Sequence, residues 1–299
     1  MFNGFSRSVI GASHVKKNIV CQDSSAYKVY ENFSTAVVAD GHGSKKHFRS
    51  HIGSQSAVEA AVETVENFCS DYDGFIRELP ENHDMIIKNI EKQVIARWHR
   101  KIMKHFSENP LRSDEIKMFT EEEFKKIPVE SYYGTTLVVA VMCRDFTFGF
   151  QIGDGSLVAV FEDGEASMIM DYEESNPANI TASMCNKNAS SMFSHFYTGT
   201  KKVFAMFVST DGLYTSFGSD YDFLDYHTII ASQLYDMTVF ESSVVRNITK
   251  RTHFGTEDDI SLSCVYNSSL AEENSNIMRQ KIEENKRKAA ARKARMSNR

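Results

Sequence analysis

The run Thr35-Ala36-Val37-Val38-Ala39 ends directly in Asp40-Gly41-His42-Gly43, and this junction restricts the fold more than any other stretch. The run is too short for a helix and rich in valine, so it reads as a buried strand. The glycines that follow permit backbone geometry closed to other residues. A carboxylate is thereby delivered to a strand end, where a rigid sheet can hold it. Taken alone, an Asp-Gly step marks a plain turn more often than a metal site.

Repetition changes that reading. Phe204 to Ser209 leads into Thr210-Asp211-Gly212, and Phe148 to Gly153 leads into Asp154-Gly155. The order is reversed at Asp258-Asp259, which precede the run Ile260 to Tyr266. Acidic strand ends gathered in one place repel one another unless a counter-charge is present. An all-oxygen cluster of this kind suits hard divalent cations such as Mg²⁺ and Mn²⁺.

The remaining pattern gives strands at Phe2 to Ile10, Ser25 to Tyr30, Thr135 to Cys143, Phe146 to Ile152, Leu157 to Phe161, Ala166 to Met170, Met192 to Tyr197 and Val203 to Ser209. Apolar residues at helical spacing predict helices over Ser44 to Cys69, Asp84 to Phe106, Asp222 to Tyr235 and Val239 to Thr252. Strands and helices in blocks, without strict alternation, favour an α+β fold of antiparallel sheets covered by helices. Residues 1–268 read as one globular domain and 269–299 as a basic, helix-compatible tail. Ile277 and Ile282 are the tail's only large aliphatics before its cationic end, a stripe too sparse to dock firmly.

In order and context, Asp40-Gly41-His42-Gly43, Gly134-Thr135-Thr136, Gly153-Asp154-Gly155, Ser209-Thr210-Asp211-Gly212 and Asp258-Asp259 resemble the metal-dependent serine/threonine protein phosphatases of type 2C. The resemblance runs from about Gly4 to Tyr266. Gly11-Ala12-Ser13-His14-Val15 with Cys21-Gln22-Asp23 looks most like a bacterial branch. It implies a four-layer α-β-β-α sandwich with two central antiparallel sheets. It also implies two Mg²⁺ or Mn²⁺ ions, with a looser third ion in some members.

By this resemblance Asp40 bridges both ions, the Gly41 carbonyl binds one, and Asp211 and Asp259 complete the other shell. Asp154, with Asp211, matches the third-ion position. The first motif's acidic pair reads Gln22-Asp23 here, so one carboxylate is replaced by an amide that holds a metal-bound water with weaker electrostatics. The implied reaction is hydrolysis of phosphoserine and phosphothreonine by direct attack of a hydroxide bridging the ions. His42 is the natural general acid for the leaving alkoxide, the other reading being a histidine that only hydrogen-bonds its own turn. Many members grip phosphate with an arginine in the first motif. Here His14 stands near that position with Lys16 and Lys17 close by, which makes His14 a candidate phosphate contact. Gly134-Thr135-Thr136 reads as packing and local hydrogen bonding beneath the site, and the polar stretch 176–191 as a flap beside the cleft or a plain surface loop.

Five cysteines, at 21, 69, 143, 185 and 264, have no paired spacing and fit free thiols in a reducing compartment. With no apolar run long enough for a signal peptide or a membrane span, the expected location is the cytoplasm. Residues 271–299 carry nine basic and four acidic side chains, leaving an acidic body under a net charge of −6. The expected partner is a phosphorylated protein, within a serine/threonine kinase system. For the basic tail, a solvated helix competes with contact to nucleic acid or another anionic partner. Two other functions stay open: a catalytically silent relative that binds phosphoproteins or a kinase, and a different two-metal hydrolase such as a nuclease.

Overall fold

The computed structural model describes residues 1–170, 181–199 and 202–297, the last six by backbone alone. Among these residues the strands are β1 (Phe2–Val9), β2 (Ser24–Val29), β3 (Phe33–Ala39), β4 (Leu137–Cys143), β5 (Thr147–Ile152), β6 (Ser156–Phe161), β7 (Ala166–Met168), β8 (Ser194–Thr198), β9 (Val203–Ser209) and β10 (Ile260–Asn267). The helices are α1 (Ala12–Lys17), α2 (Ser50–Phe68), α3 (Tyr72–Glu108), α4 (Ser113–Ile116), α5 (Glu121–Phe124), α6 (Val129–Tyr132), α7 (Asp211–Tyr214), α8 (Asp220–Ala231), α9 (Met237–Phe254) and α10 (Ala271–Ser297).

Strand β4 shows why the layers stack. Its odd-numbered residues Leu137, Val139, Val141 and Cys143 enter one core, and Val138, Ala140 and Met142 enter another. A strand apolar at every position is buried on both faces. The first core lies under α2 and α3, and the second lies between the sheets. A third core forms where Phe223 and Ile230 of α8, Val244 and Ile248 of α9 and Met278 of α10 cover β9 and β10. The sheets run β1-β10-β9-β6-β7 and β2-β3-β4-β5-β8, antiparallel throughout. The result is the expected α+β sandwich with helix, sheet, sheet and helix layers.

Strand β10 alternates Ile260, Leu262, Cys264 with Ser261 and Ser263. The serines face the inter-sheet layer: Ser263 Oγ donates across it to Ala26 O at 2.9 Å, while Ser261 Oγ donates within its own sheet to Ser8 Oγ at 2.6 Å, and Ser8 Oγ lies 2.9 Å from Ser25 Oγ of the other sheet. Each buried hydroxyl is thus satisfied, and the two sheets are held in register near the rim that carries the acidic turns.

Helices α1 and α4 to α6 were not expected from the sequence, and three further features differ from the expectation. Helix α2 starts at Ser50, not Ser44, because His47 Nδ1 is drawn to Ser131 O and Arg49 N donates to Tyr132 O at 2.9 Å. These long-range bonds hold residues 44–49 in turns. Helix α3 extends back to Tyr72 and bends at Asn82 (φ −127°, ψ 26°), two residues beyond Pro80, whose ring and missing N–H disrupt the helical ladder. The tail also docks at its start. Met278 is fully buried, Asn274 and Ser275 are 3% exposed, and Ser275 Oγ donates to Ser232 O at 2.8 Å. Met278 and the small polar residues Asn274 and Ser275 take the place of the large aliphatics whose scarcity had argued against docking.

Candidate active site

Antiparallel pairing brings the ends of some strands and the starts of others to one rim. There β3 ends in Asp40, β9 leads through Thr210 into Asp211, β5 turns through Asp154 into β6, Gln22 and Asp23 precede β2, and Asp258 and Asp259 precede β10. The turn after β3 is fixed from several sides. Asp40 O accepts from Thr136 N at 2.9 Å and Thr135 Oγ1 at 2.8 Å, and Asp40 N donates to Thr136 Oγ1 at 3.1 Å. Residues 134–136 therefore serve as the local support expected of them. Gly41 N donates to Gln22 O at 3.2 Å. A Cβ on Gly41 would stand 2.6 Å from Gln22 O and 2.8 Å from Ser50 O, so close approach of three backbones excludes a side chain there.

The carboxylates perturb one another. Burial, then the charges of Asp23 and Asp211, holds Asp40 well above the usual carboxylate range. Burial, then Asp259, raises Asp23, and Thr210 Oγ1 donates to Asp23 Oδ2 at 2.8 Å. Burial, then Asp154, raises Asp211. The Asp40 and Asp211 carboxyls are close enough for each to perturb the other's ionisation. Asp211 Oδ1 is buried with no hydrogen-bond partner among the described residues, a costly state for an acceptor.

His42 is set by a bond from its N–H to Gly134 O at 3.1 Å, and its ring lies 4.9 Å from that of His47. Burial, then Lys46, lowers its pKa to about 4, so the imidazole is neutral near pH 7. A phosphoryl dianion alongside would raise it. Asp154 Oδ2 accepts from Thr181 Oγ1 at 2.8 Å. Of the expected flap, residues 176–180 lie outside the described residues. The following loop packs closely, with Ala182, Ser183 and Met184 buried.

A family model described as protein phosphatase 2C matches residues 10–244. The chain belongs to the protein phosphatase 2C family. Its fold is also that of a bacterial serine phosphatase, at 13% identity and TM-score 0.54, over 89% of this chain and 98% of the other. A serine/threonine phosphatase of S. agalactiae is 18% identical with TM-score 0.50, over 89% and 99%. At these identities the likeness is one of fold. No curated protein sequence matches the chain.

Within this phosphatase 2C framework Asp259 stands apart from the other predicted ligands. Its Oδ1 accepts from Gly11 N at 2.6 Å and lies 3.0 Å from His14 Nδ1, and its Oδ2 accepts from Gln22 N at 2.6 Å. Both oxygens are committed to pinning the first motif. Asp258, which the sequence reading did not place in the site, is exposed, and its charge bears on both Asp40 and Asp211. The only sequence signal for it was adjacency. His14 is likewise tethered to Asp259, with its side chain 13% exposed. Gln22 contributes its backbone to Asp259 and Gly41, while its Oε1 lies against Gly43.

Among the described residues, no group of three or more His, Cys, Asp or Glu side chains is arranged to hold an ion by itself. The donor set still fits a hard divalent cation. Mg²⁺ binds through one or two carboxylates and keeps several waters, and an unpartnered buried Asp211 oxygen beside the Asp40 carboxylate is such a pair. Among the described helices none is long and apolar enough to cross a membrane.

Proposed function

We propose that this chain is a divalent-cation-dependent phosphoprotein phosphatase acting on phosphoserine and phosphothreonine. The observation that carries the reading is the Asp40–Asp211 pair with its orphaned Asp211 oxygen, set among Asp23, Asp154 and Asp258 at one rim. Mg²⁺ or Mn²⁺ bound there supplies neutralisation of phosphoryl charge and a water made nucleophilic at neutral pH.

Asp40, Asp211 and the Gly41 carbonyl are the proposed holders of the cation, with Asp258 in the outer role that the sequence reading gave to Asp259. Asp23 and Asp154 lend charge, and Asp154 with Asp211 is the proposed position for a further ion. Gln22 orients the turn through its backbone. His42 is the proposed proton donor to the leaving alkoxide, and His14 the proposed phosphate contact. The substrate is a phosphorylated protein within a serine/threonine kinase system. The proposed domain boundary at 268 leaves α10 as an appendage docked on α8 through Ser275, Met278 and Asn285, whose Nδ2 donates to Asp225 Oδ1 at 2.6 Å.

The test is phosphate release from a phosphothreonine peptide and from 4-nitrophenyl phosphate by purified protein, with Mn²⁺, Mg²⁺ or chelator. Release that needs the cation supports the reading. Tight phosphopeptide binding without turnover would instead indicate a silent binding module.

Two variants separate the neighbouring acids. Asp258→Ala is expected to raise the Mn²⁺ concentration for half-maximal activity about tenfold while leaving the melting temperature unchanged, since its side chain is exposed. Asp259→Ala strands the buried Gly11 N–H and the part-buried Gln22 N–H and is expected to cost about 1–3 kcal/mol of stability, read by urea unfolding. The reverse pattern would restore Asp259 as the ligand. His14→Ala is expected to raise KM for the phosphopeptide about tenfold, the worth of one charge-assisted hydrogen bond. An unchanged KM removes His14 from phosphate binding.

A further inference from the structure

One loop joins the catalytic rim to a second feature. At its start Thr181 Oγ1 donates to Asp154, and in its middle Ser183 Oγ and Met184 N both donate to Thr135 O, at 3.1 and 2.9 Å. Thr135 in turn donates to Asp40 O. At its end Cys185 to Lys187 face α3 across a groove of about 600 Å³. The groove floor includes Trp98, 1% exposed and fixed by a 3.1 Å bond from its Nε1 to Gly53 O, together with Met184, 2% exposed. A Cβ on Gly53 would stand 2.0 Å from Tyr133 O, so this floor is tightly packed and does not collapse into the groove.

The rim of the groove is cationic. Lys92, Arg100 and Lys187 line it and are exposed. Among the described residues none of the three forms an ion pair or a side-chain hydrogen bond, and Lys92 has only a through-space influence on buried Glu91. The groove's one carboxylate, Glu130, is held by His99 Nε2 at 3.2 Å. Unpaired cations around an apolar floor are uncommon on a body whose charge is otherwise acidic. Lys92 and Arg100 are eight residues apart on one helix face, roughly 12 Å at the α-helical rise, which spans about four residues of extended peptide.

We propose that this groove is the docking surface for acidic residues flanking the phosphorylated residue of the substrate, so that the enzyme prefers phosphosites in acidic sequence. The proposal rests on the phosphatase reading above and names the substrate class of that site. An extended segment leaving the catalytic rim along the 181–187 loop meets Lys187 first, then the Lys92 and Arg100 face, with its apolar side chains over Ile95, Ala96 and Pro128.

The experiment compares Arg100→Glu/Lys187→Glu with wild type on three substrates: a phosphothreonine peptide with acidic flanks, the same peptide with alanine flanks, and 4-nitrophenyl phosphate. Arg144→Glu/Lys202→Glu, at the opposite end of the sandwich, controls for net charge. The expected result is a rise in KM of about tenfold for the acidic peptide alone, from two reversed surface contacts, and a wild-type KM for that peptide that climbs with salt. Equal KM changes on both peptides, or the same change in the control variant, would overturn the groove. Should none of the three substrates turn over, the phosphatase reading fails. Anisotropy of the labelled acidic peptide then tests the groove separately, and wild-type binding no tighter than to the alanine-flanked peptide rejects it.

Discussion

Asp211→Asn is expected to abolish cation-dependent hydrolysis and, at the same time, to stabilise the cation-free protein. The loss follows from removing a carboxylate whose Oδ1 is buried and unpartnered among the described residues. Several kcal/mol of charge stabilisation in the transition state correspond to a fall of about 10³-fold in kcat/KM. The gain follows from the raised carboxyls of Asp40, Asp23 and Asp211. An acid whose folded pKa exceeds its unfolded value binds more protons in the folded state, so stability falls as pH rises from the unfolded value toward the folded one. The cation-free wild type should therefore melt at a lower temperature at pH 8 than at pH 5. Asp211→Asn removes one of the repelling charges and should flatten that dependence. Added Mn²⁺ should stabilise wild type far more than the variant. A variant as active as wild type, or equally stabilised by Mn²⁺, would show that this rim does not hold the ion.

The largest effect on stability is expected at Glu115. Arg49, which precedes α2, is 3% exposed. Its Nε and Nη2 donate to the two Glu115 oxygens, each at 2.9 Å, and its remaining donors reach Asn109 O, Pro110 O and Tyr133 Oη. This one guanidinium ties residues 109–133 to the start of α2. Burial pushes Glu115 up, but the hydrogen bonds from Arg49 and from Arg112 N outweigh it and hold the carboxyl below its ordinary range. Its contribution is thus present above the unfolded carboxylate pKa and is lost as pH falls through the lower folded value. Glu115→Ala leaves a buried cation unpaired and is expected to cost about 3–5 kcal/mol. Arg49→Met/Glu115→Leu, which replaces the pair by apolar groups of similar volume, is expected to recover most of that loss. Urea unfolding of both variants checks the pair, and a Glu115→Ala cost under about 1 kcal/mol would reduce it to a surface-grade contact.

Much of the fold was legible because its signals are local. Strands β3, β4 and β9 are short and mostly apolar, and β3 and β9 lead into acid-glycine turns, so both their type and their burial follow from adjacent residues. The helices α2, α8 and α9 repeat apolar residues at the helical period. The segment 109–133 was not legible, since its three one-turn helices are too short to carry a period and are held by Arg49, His47 and the aromatic contacts of Tyr132 with Phe48 and Phe124. Those partners lie up to about eighty residues away in sequence. The groove on α3 was invisible for the same reason: Arg100 and Lys187 become neighbours only when the loop after Thr181 folds against Thr135.

The sequence by itself determined the layers and the rim. Where an apolar strand ends in Asp-Gly, the carboxylate must sit at the sheet edge, and antiparallel pairing sends several such ends the same way. Only the tertiary structure gives Asp258 and Asp259 different surroundings. Both are acids at the same strand start, but backbone N–H groups from Gly11 and Gln22 converge on Asp259. Backbone donors left without partners are costly, so the inner acid closes the first motif while the outer one stays exposed.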